Sequence, residues 1–176
     1  LRVSGWLFLS GEFPPDPGGV ADYTRSVAEG LAQRGHEVHI AAPRSRRGIP
    51  PEGSAEVHLL PDTFGPRGLT QLTSLVRELR PTRLFVQYVP HAFGYRALNL
   101  GFCAWLWSRS RRVPVWTQFH EVAYPYQSPA WRRTNLLAAG HQAMAALVSR
   151  ASERRFMTTR AWERLLTRWD PTPPIW

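Results

Sequence analysis

The chain has 176 residues, 43% of them hydrophobic and 20% charged, enough for one domain with a packed core and unlike a disordered segment. Its basic residues are all arginine, 22 against 13 acidic residues, and the formal net charge of +9 favours phosphates, anionic headgroups and other polyanions without choosing among them. The single cysteine, Cys103, excludes an intramolecular disulfide and a cysteine-rich metal cage, and no apolar run reaches the ~20 residues of a spanning helix.

Short apolar runs alternate with longer amphipathic ones. Val3 to Leu9 reads as a buried first strand. Val20 to Arg34 reads as a helix, with Val20, Tyr23, Val27 and Leu31 on one face and Gly35 as its stop. Glu37 to Ala42 and Glu56 to Leu60 read as strands two and three, with an exposed loop rich in Arg, Gly and Pro from Ser45 to Ser54. Leu69, Leu72, Leu75, Val76 and Leu79 mark a second helix that Pro81 closes. Arg83 to Val89 is predicted as strand four, Arg96 to Ser108 as an apolar helix and Val113 to Phe119 as strand five. A long helix over Trp131 to Ser152, a sixth strand over Arg155 to Thr159 and a helix over Ala161 to Arg168 follow.

This order predicts an α/β fold: a Rossmann-like, doubly wound parallel sheet of about six or seven strands, with right-handed crossovers. Ligands of such sheets bind outside the carboxyl ends of the strands, which selects the loops after strands one, four, five and six. After strand one, Gly18 and Gly19 lead into a helix start. They read either as a cradle for a phosphate or as a plain strand-to-helix turn. After strand five, His120 is placed to hydrogen-bond a sugar hydroxyl or phosphate, or to move a proton, with Glu121 beside it. After strand four, Tyr88 and His91 belong to a polar and aromatic loop suited to a sugar or ring, although His91 also reads as a surface residue. Thr158 and Thr159 after strand six are either ligand contacts or a helix cap. His36, His39, His58 and His141 are scattered in sequence, so no metal site and no cofactor are expected. There is no Gly-x-Ser-x-Gly elbow, which disfavours a serine hydrolase.

The stretch FLSGEFPPDPGGVADYTRSVAEGLAQRGHEVHIAAP, Phe8 to Pro43, resembles the opening of the retaining "group 1" glycosyltransferases of the GT-B fold, the glycosyltransferase family 4-like enzymes. VPVWTQFHE, Val113 to Glu121, resembles their fifth strand with its terminal histidine, and a looser likeness runs to about Arg168. The resemblance implies an N-terminal, acceptor-side domain over residues 1–169. Residues 170–176 then start an interdomain linker, and the donor-binding domain lies outside this chain. It also implies a nucleotide-sugar donor and a sugar or lipid-linked acceptor. By matching position Gly19 approaches the donor diphosphate through its N–H, Gly18 allows the turn, and His120 contacts the transferred sugar. Glu12, Asp22 and Glu121 are further candidates for acceptor or sugar contact, beside Tyr88 and His91 of the loop after strand four.

A non-catalytic sugar- or membrane-binding module is the alternative. An oxidoreductase domain fits less well, because strand two ends Ala41-Ala42-Pro43-Arg44 without the acid a dinucleotide site needs. Trp105, Trp107, Arg109, Arg111 and Arg112 suggest a surface that lies on an anionic membrane, beside a core-helix reading of the same segment. With no signal-peptide pattern, the expected location is cytoplasmic, peripheral at the inner face of the membrane. No nucleic-acid motif is present, and a nucleic-acid partner is not expected.

Overall fold

The computed structural model describes residues 5–94, 97–126, 134–170 and 172–175. Six strands, β1 (Gly5–Ser10), β2 (Glu37–Pro43), β3 (Glu56–Leu60), β4 (Arg83–Tyr88), β5 (Val115–Phe119) and β6 (Arg154–Met157), form one sheet in the order β3-β2-β1-β4-β5-β6. Every pairing is parallel. The direction of winding reverses between β1 and β4, where Ser10 lies opposite Gln87. That reversal is the switch point at which such sheets open a crevice.

Side chains alternate across the sheet. Leu7, Leu9, Leu84, Val86 and Tyr88 face a large core that also holds residues of α2 (Pro66–Leu79), α3 (Leu100–Ser110) and α4 (Thr134–Ala151). Trp6, Phe8, Val38, Ile40 and Phe85 face a smaller aromatic core, against which α1 (Gly19–Ala32) packs through Val27, Ala28 and Leu31. A short α5 (Glu163–Thr167) adds Leu165 and Leu166 to the larger core.

The helix ends explain where the sequence reading holds and where it slips. Past α1, Gly35 adopts φ 83 and its N–H bonds Ala32 O, while His36 N–H bonds Leu31 O, so the left-handed stop forms as the glycine predicts. α2 begins at Pro66, earlier than its apolar stripe suggests, because Asp62 Oδ1 accepts the N–H groups of Gly65 and Gly68 at 3.0 and 2.8 Å. α3 begins at Leu100; the start expected at Arg96 lies outside the described residues. The buried Asn99 amide accepts Phe102 N–H at 2.8 Å and donates to Phe64 O and Phe93 O, and Ala97 turns with φ 69. The expected strand end at Val89 gives way to a 3-10 turn over Pro90–Phe93. Of the long helix expected from Trp131, residues 131–133 lie outside the described residues.

Within the segment expected to start a linker, Ile175 pairs alongside β6. Met157 N–H bonds Ile175 O and Ile175 N–H bonds Arg155 O. The Arg155 side chain is 3% exposed, pairs with Asp170 at 3.2 Å and donates to the Thr172 carbonyl. No described helix is long and apolar enough to cross a membrane.

Candidate functional site

At the switch point the chain leaves β1 through Ser10, whose buried hydroxyl donates to Glu12 O at 2.6 Å and lies 3.4 Å from the Thr24 hydroxyl of α1. This ties the end of the strand to the first turns of the helix. Gly11 then runs close beneath the turn after β4. A Cβ there would stand 2.4 Å from both Ala92 Cβ and Ala92 O, so only glycine lets the two loops meet.

Gly18 is extended, with φ 168 and ψ 145, and its turn needs no left-handed backbone. It provides room instead, since a Cβ would come within 2.5 Å of Glu12 Oε1. The Glu12 carboxylate therefore rests at the N-terminal end of α1, where the helix dipole favours a negative charge. The N-cap residue of α1 is Gly18, which has no side chain to cap it. At Gly19 a Cβ would meet nothing within 4 Å, so packing does not call for a glycine there. Asp22 is exposed in the first turn.

His120 follows β5, and its N–H bonds Tyr88 O at 3.1 Å. Its Nε2 lies 2.9 Å from Gln87 Oε1, which assigns the ring proton to Nε2 and leaves Nδ1 an acceptor. Burial lowers the His120 pKa to about 4, so the imidazole is neutral at physiological pH. Tyr23, one turn into α1, meets the imidazole edge-on with 5.2 Å between centroids and donates through its hydroxyl to Gln118 Oε1 at 3.3 Å. This contact brings the glycine-led helix start and His120 onto one rim of the sheet.

Three of these groups escaped the sequence reading. Gln87 and Gln118 lie opposite each other at the ends of β4 and β5, and an amide in the last two residues of each strand is the signal that marks them. Tyr23 is 38% exposed and belongs to the rim, not to the helix face packed on the sheet.

The other expected contacts separate into two groups. His91 and Glu121 are exposed, and their facing atoms stand 3.4 Å apart, joining the loops after β4 and β5 when the imidazole is protonated. Tyr88 is not a rim residue. It is fully buried between Phe93 and Phe119, and burial raises its pKa well above the ordinary tyrosine value. Its place in the strand points it into the larger core, so it offers no surface to a sugar. Thr158 and Thr159 are exposed, and the Thr159 side chain caps nothing.

Trp105 and Trp107 pack against the larger core, and Trp105 donates to the Thr73 hydroxyl of α2 at 2.9 Å. Their rings support the core-helix reading of that segment, while Arg111 and Arg112 remain exposed. The histidines that look scattered in sequence are not all scattered in space, because His39 and His58 meet across β2 and β3.

A glycosyl transferase 4-like domain matches residues 18–175. No curated protein matches the chain. Among solved structures, it is similar to a putative oxidoreductase from Escherichia coli, with 12% identity and a TM-score of 0.46 over 95% of this chain and 73% of that one. It is also similar to a nucleoside-diphosphate-sugar epimerase from Agrobacterium tumefaciens, with 14% identity and a TM-score of 0.46 over 89% of this chain and 52% of that one.

Proposed function

Because the chain belongs to the glycosyl transferase 4-like domain family and so has a glycosyltransferase-type function, we propose that it is the acceptor-side half of an enzyme moving a sugar from a nucleoside-diphosphate donor with retention of configuration. A second domain closes over the rim and brings most of the donor site. In this reading the uncapped start of α1 receives the donor diphosphate through backbone N–H groups, Gly19 first among them. His120 contacts the transferred sugar, its neutral ring accepting a hydroxyl at Nδ1 while Gln87 holds the protonated Nε2. Glu12, Asp22, His91 and Glu121 border the same crevice and serve the acceptor hydroxyls. Backbone donors and the partner domain's cations stabilise the charge that grows on the leaving diphosphate.

The observation that carries this proposal is the free space at Gly19. A glycine with no packing reason, at a helix start whose N-cap residue is itself a glycine, leaves the Gly19 backbone open to a ligand beside the Glu12 carboxylate. The test is Gly19→Val in the complete enzyme. A Cβ at this position meets nothing within 4 Å, so stability should change by only about 0.5 kcal/mol, an ordinary surface change. Donor use should fall by tenfold or more as the approach to the N–H is blocked. Unchanged donor KM and turnover would remove this helix start from the site.

A further inference from the structure

At the opposite end of the strands from His120, β2 and β3 each begin with the same three residues, Glu-Val-His at 37–39 and again at 56–58. The parallel register sets His39 opposite Glu56, so the two copies are staggered and their polar side chains converge on one face. His39 Nδ1 lies 3.1 Å from His58 Nε2 and 3.4 Å from Glu56 Oε2, and Glu56 Oε1 lies 3.9 Å from His58 Nε2. On the other side of the ring, His39 Nε2 lies 3.1 Å from Glu37 Oε1.

We propose that His39, His58 and Glu56 form a binding site for a divalent transition-metal ion of the zinc class, with Glu37 orienting His39 from behind. The Glu37 carboxylate can only accept, so the His39 proton sits on Nε2 and the Nδ1 lone pair points at the cluster. Three acceptor-type atoms then face one another: His39 Nδ1, His58 Nε2 and a Glu56 oxygen. One proton on His58 relieves a single contact of the three, whereas a cation between them satisfies all. Around a tetrahedral zinc with bonds near 2.0–2.1 Å, neighbouring ligand atoms stand ~3.3 Å apart; here the two imidazole nitrogens are 3.1 Å apart, and one ligand atom from each of the three residues lies within 4.8 Å of the others. Two carboxylates and two neutral imidazoles also balance a double positive charge.

The surroundings suit this role. His39 is 9% exposed and His58 15%, while Glu56 is 66% exposed, so the imidazoles are held by the sheet and the ion enters from the carboxylate side. The pair Glu37 and His39 has the carboxylate–imidazole arrangement that fixes the ring of a metal-binding histidine. A bound ion would clamp the edge strand β3, which pairs within the sheet through β2 alone.

The test is zinc binding to the protein by calorimetry and by metal analysis after dialysis. The expected result is one zinc per chain and a Tm that rises with zinc. Glu56→Gln and His58→Gln should each lower affinity at least tenfold, Glu37→Gln about 10–100-fold, and His36→Gln should leave binding unchanged. Glu56→Gln changes an exposed side chain and keeps its shape, so its result does not depend on the buried variants folding. The absence of stoichiometric zinc in the wild type overturns the proposal, as does full retention of zinc by Glu56→Gln and His58→Gln.

Discussion

Two imidazole sites stand at opposite ends of the same parallel sheet, and their surroundings differ in kind. At the carboxyl ends, His120 has an amide and an aromatic ring as partners, Gln87 and Tyr23. At the amino ends, His39 and His58 face each other with the carboxylates of Glu37 and Glu56 beside them. An imidazole held by an amide keeps one acceptor nitrogen and no charge, which suits contact with sugar hydroxyls. Imidazoles held among carboxylates are a negatively biased cluster, which suits a cation. The residue type is the same, and the partners supplied by the neighbouring strand decide the chemistry.

The largest expected effect on that contrast comes from Gly11. In Gly11→Ala the new methyl meets backbone of Ala92 at 2.4 Å, which cannot move as a flexible side-chain tip would. Overpacking of this kind costs ~1–3 kcal/mol, visible as a lowered Tm, and it should disturb the rim while zinc binding at the far end persists. Equal Tm values for variant and wild type would show that the loops after β1 and β4 do not meet as described.

Gln87→Leu comes next. It keeps the volume and deletes the acceptor for His120 Nε2–H, so the ring loses its fixed tautomer. Turnover of the complete enzyme should fall about tenfold, equivalent to a net hydrogen bond of roughly 1.4 kcal/mol, with the substrate KM little changed. A loss confined to stability, with turnover intact, would make Gln87 a core residue only.

A third effect is the pH dependence of stability. His120 takes up its proton at about 4 in the folded chain, against ~6.5 in the unfolded chain. The unfolded state therefore binds more protons between those values, and native stability falls as pH drops from ~6.5 towards 4. Above that window the His120 contribution is constant. His120→Asn should flatten the Tm-against-pH curve in that window, and a variant curve parallel to the wild type would place the titration elsewhere.

Much of the architecture was legible because local rules and tertiary packing agree there. The stripe Val27 and Leu31, the stop at Gly35 and the alternation of β2 all follow from spacing along the chain. The misreadings arise where a distant residue intervenes. The start of α3 depends on Asn99 reaching Phe64 O and Phe93 O, partners that no local window contains. Tyr88 sits at a strand end, but the two-residue alternation of β4 turns its ring into the core with Leu84 and Val86. The meeting of His39 and His58 depends on strand register, although the repeated Glu-Val-His was visible in the sequence. That His120 and the glycine-led helix start share one rim was legible because a strand end and a helix start are both marked locally. Tyr23 was missed as their link because helical spacing alone put it on the face with Val27.

In the proposed function the imidazole at the rim takes part in sugar transfer. The most direct test is turnover of the complete enzyme carrying His120→Ala, measured with the nucleoside-diphosphate sugar it uses, beside a check of folding by circular dichroism. The account predicts a loss of about 10²-fold or more, the scale set by removing one preorganised polar contact to a reacting group, with the fold intact. Turnover equal to that of the wild type in a folded variant would contradict it.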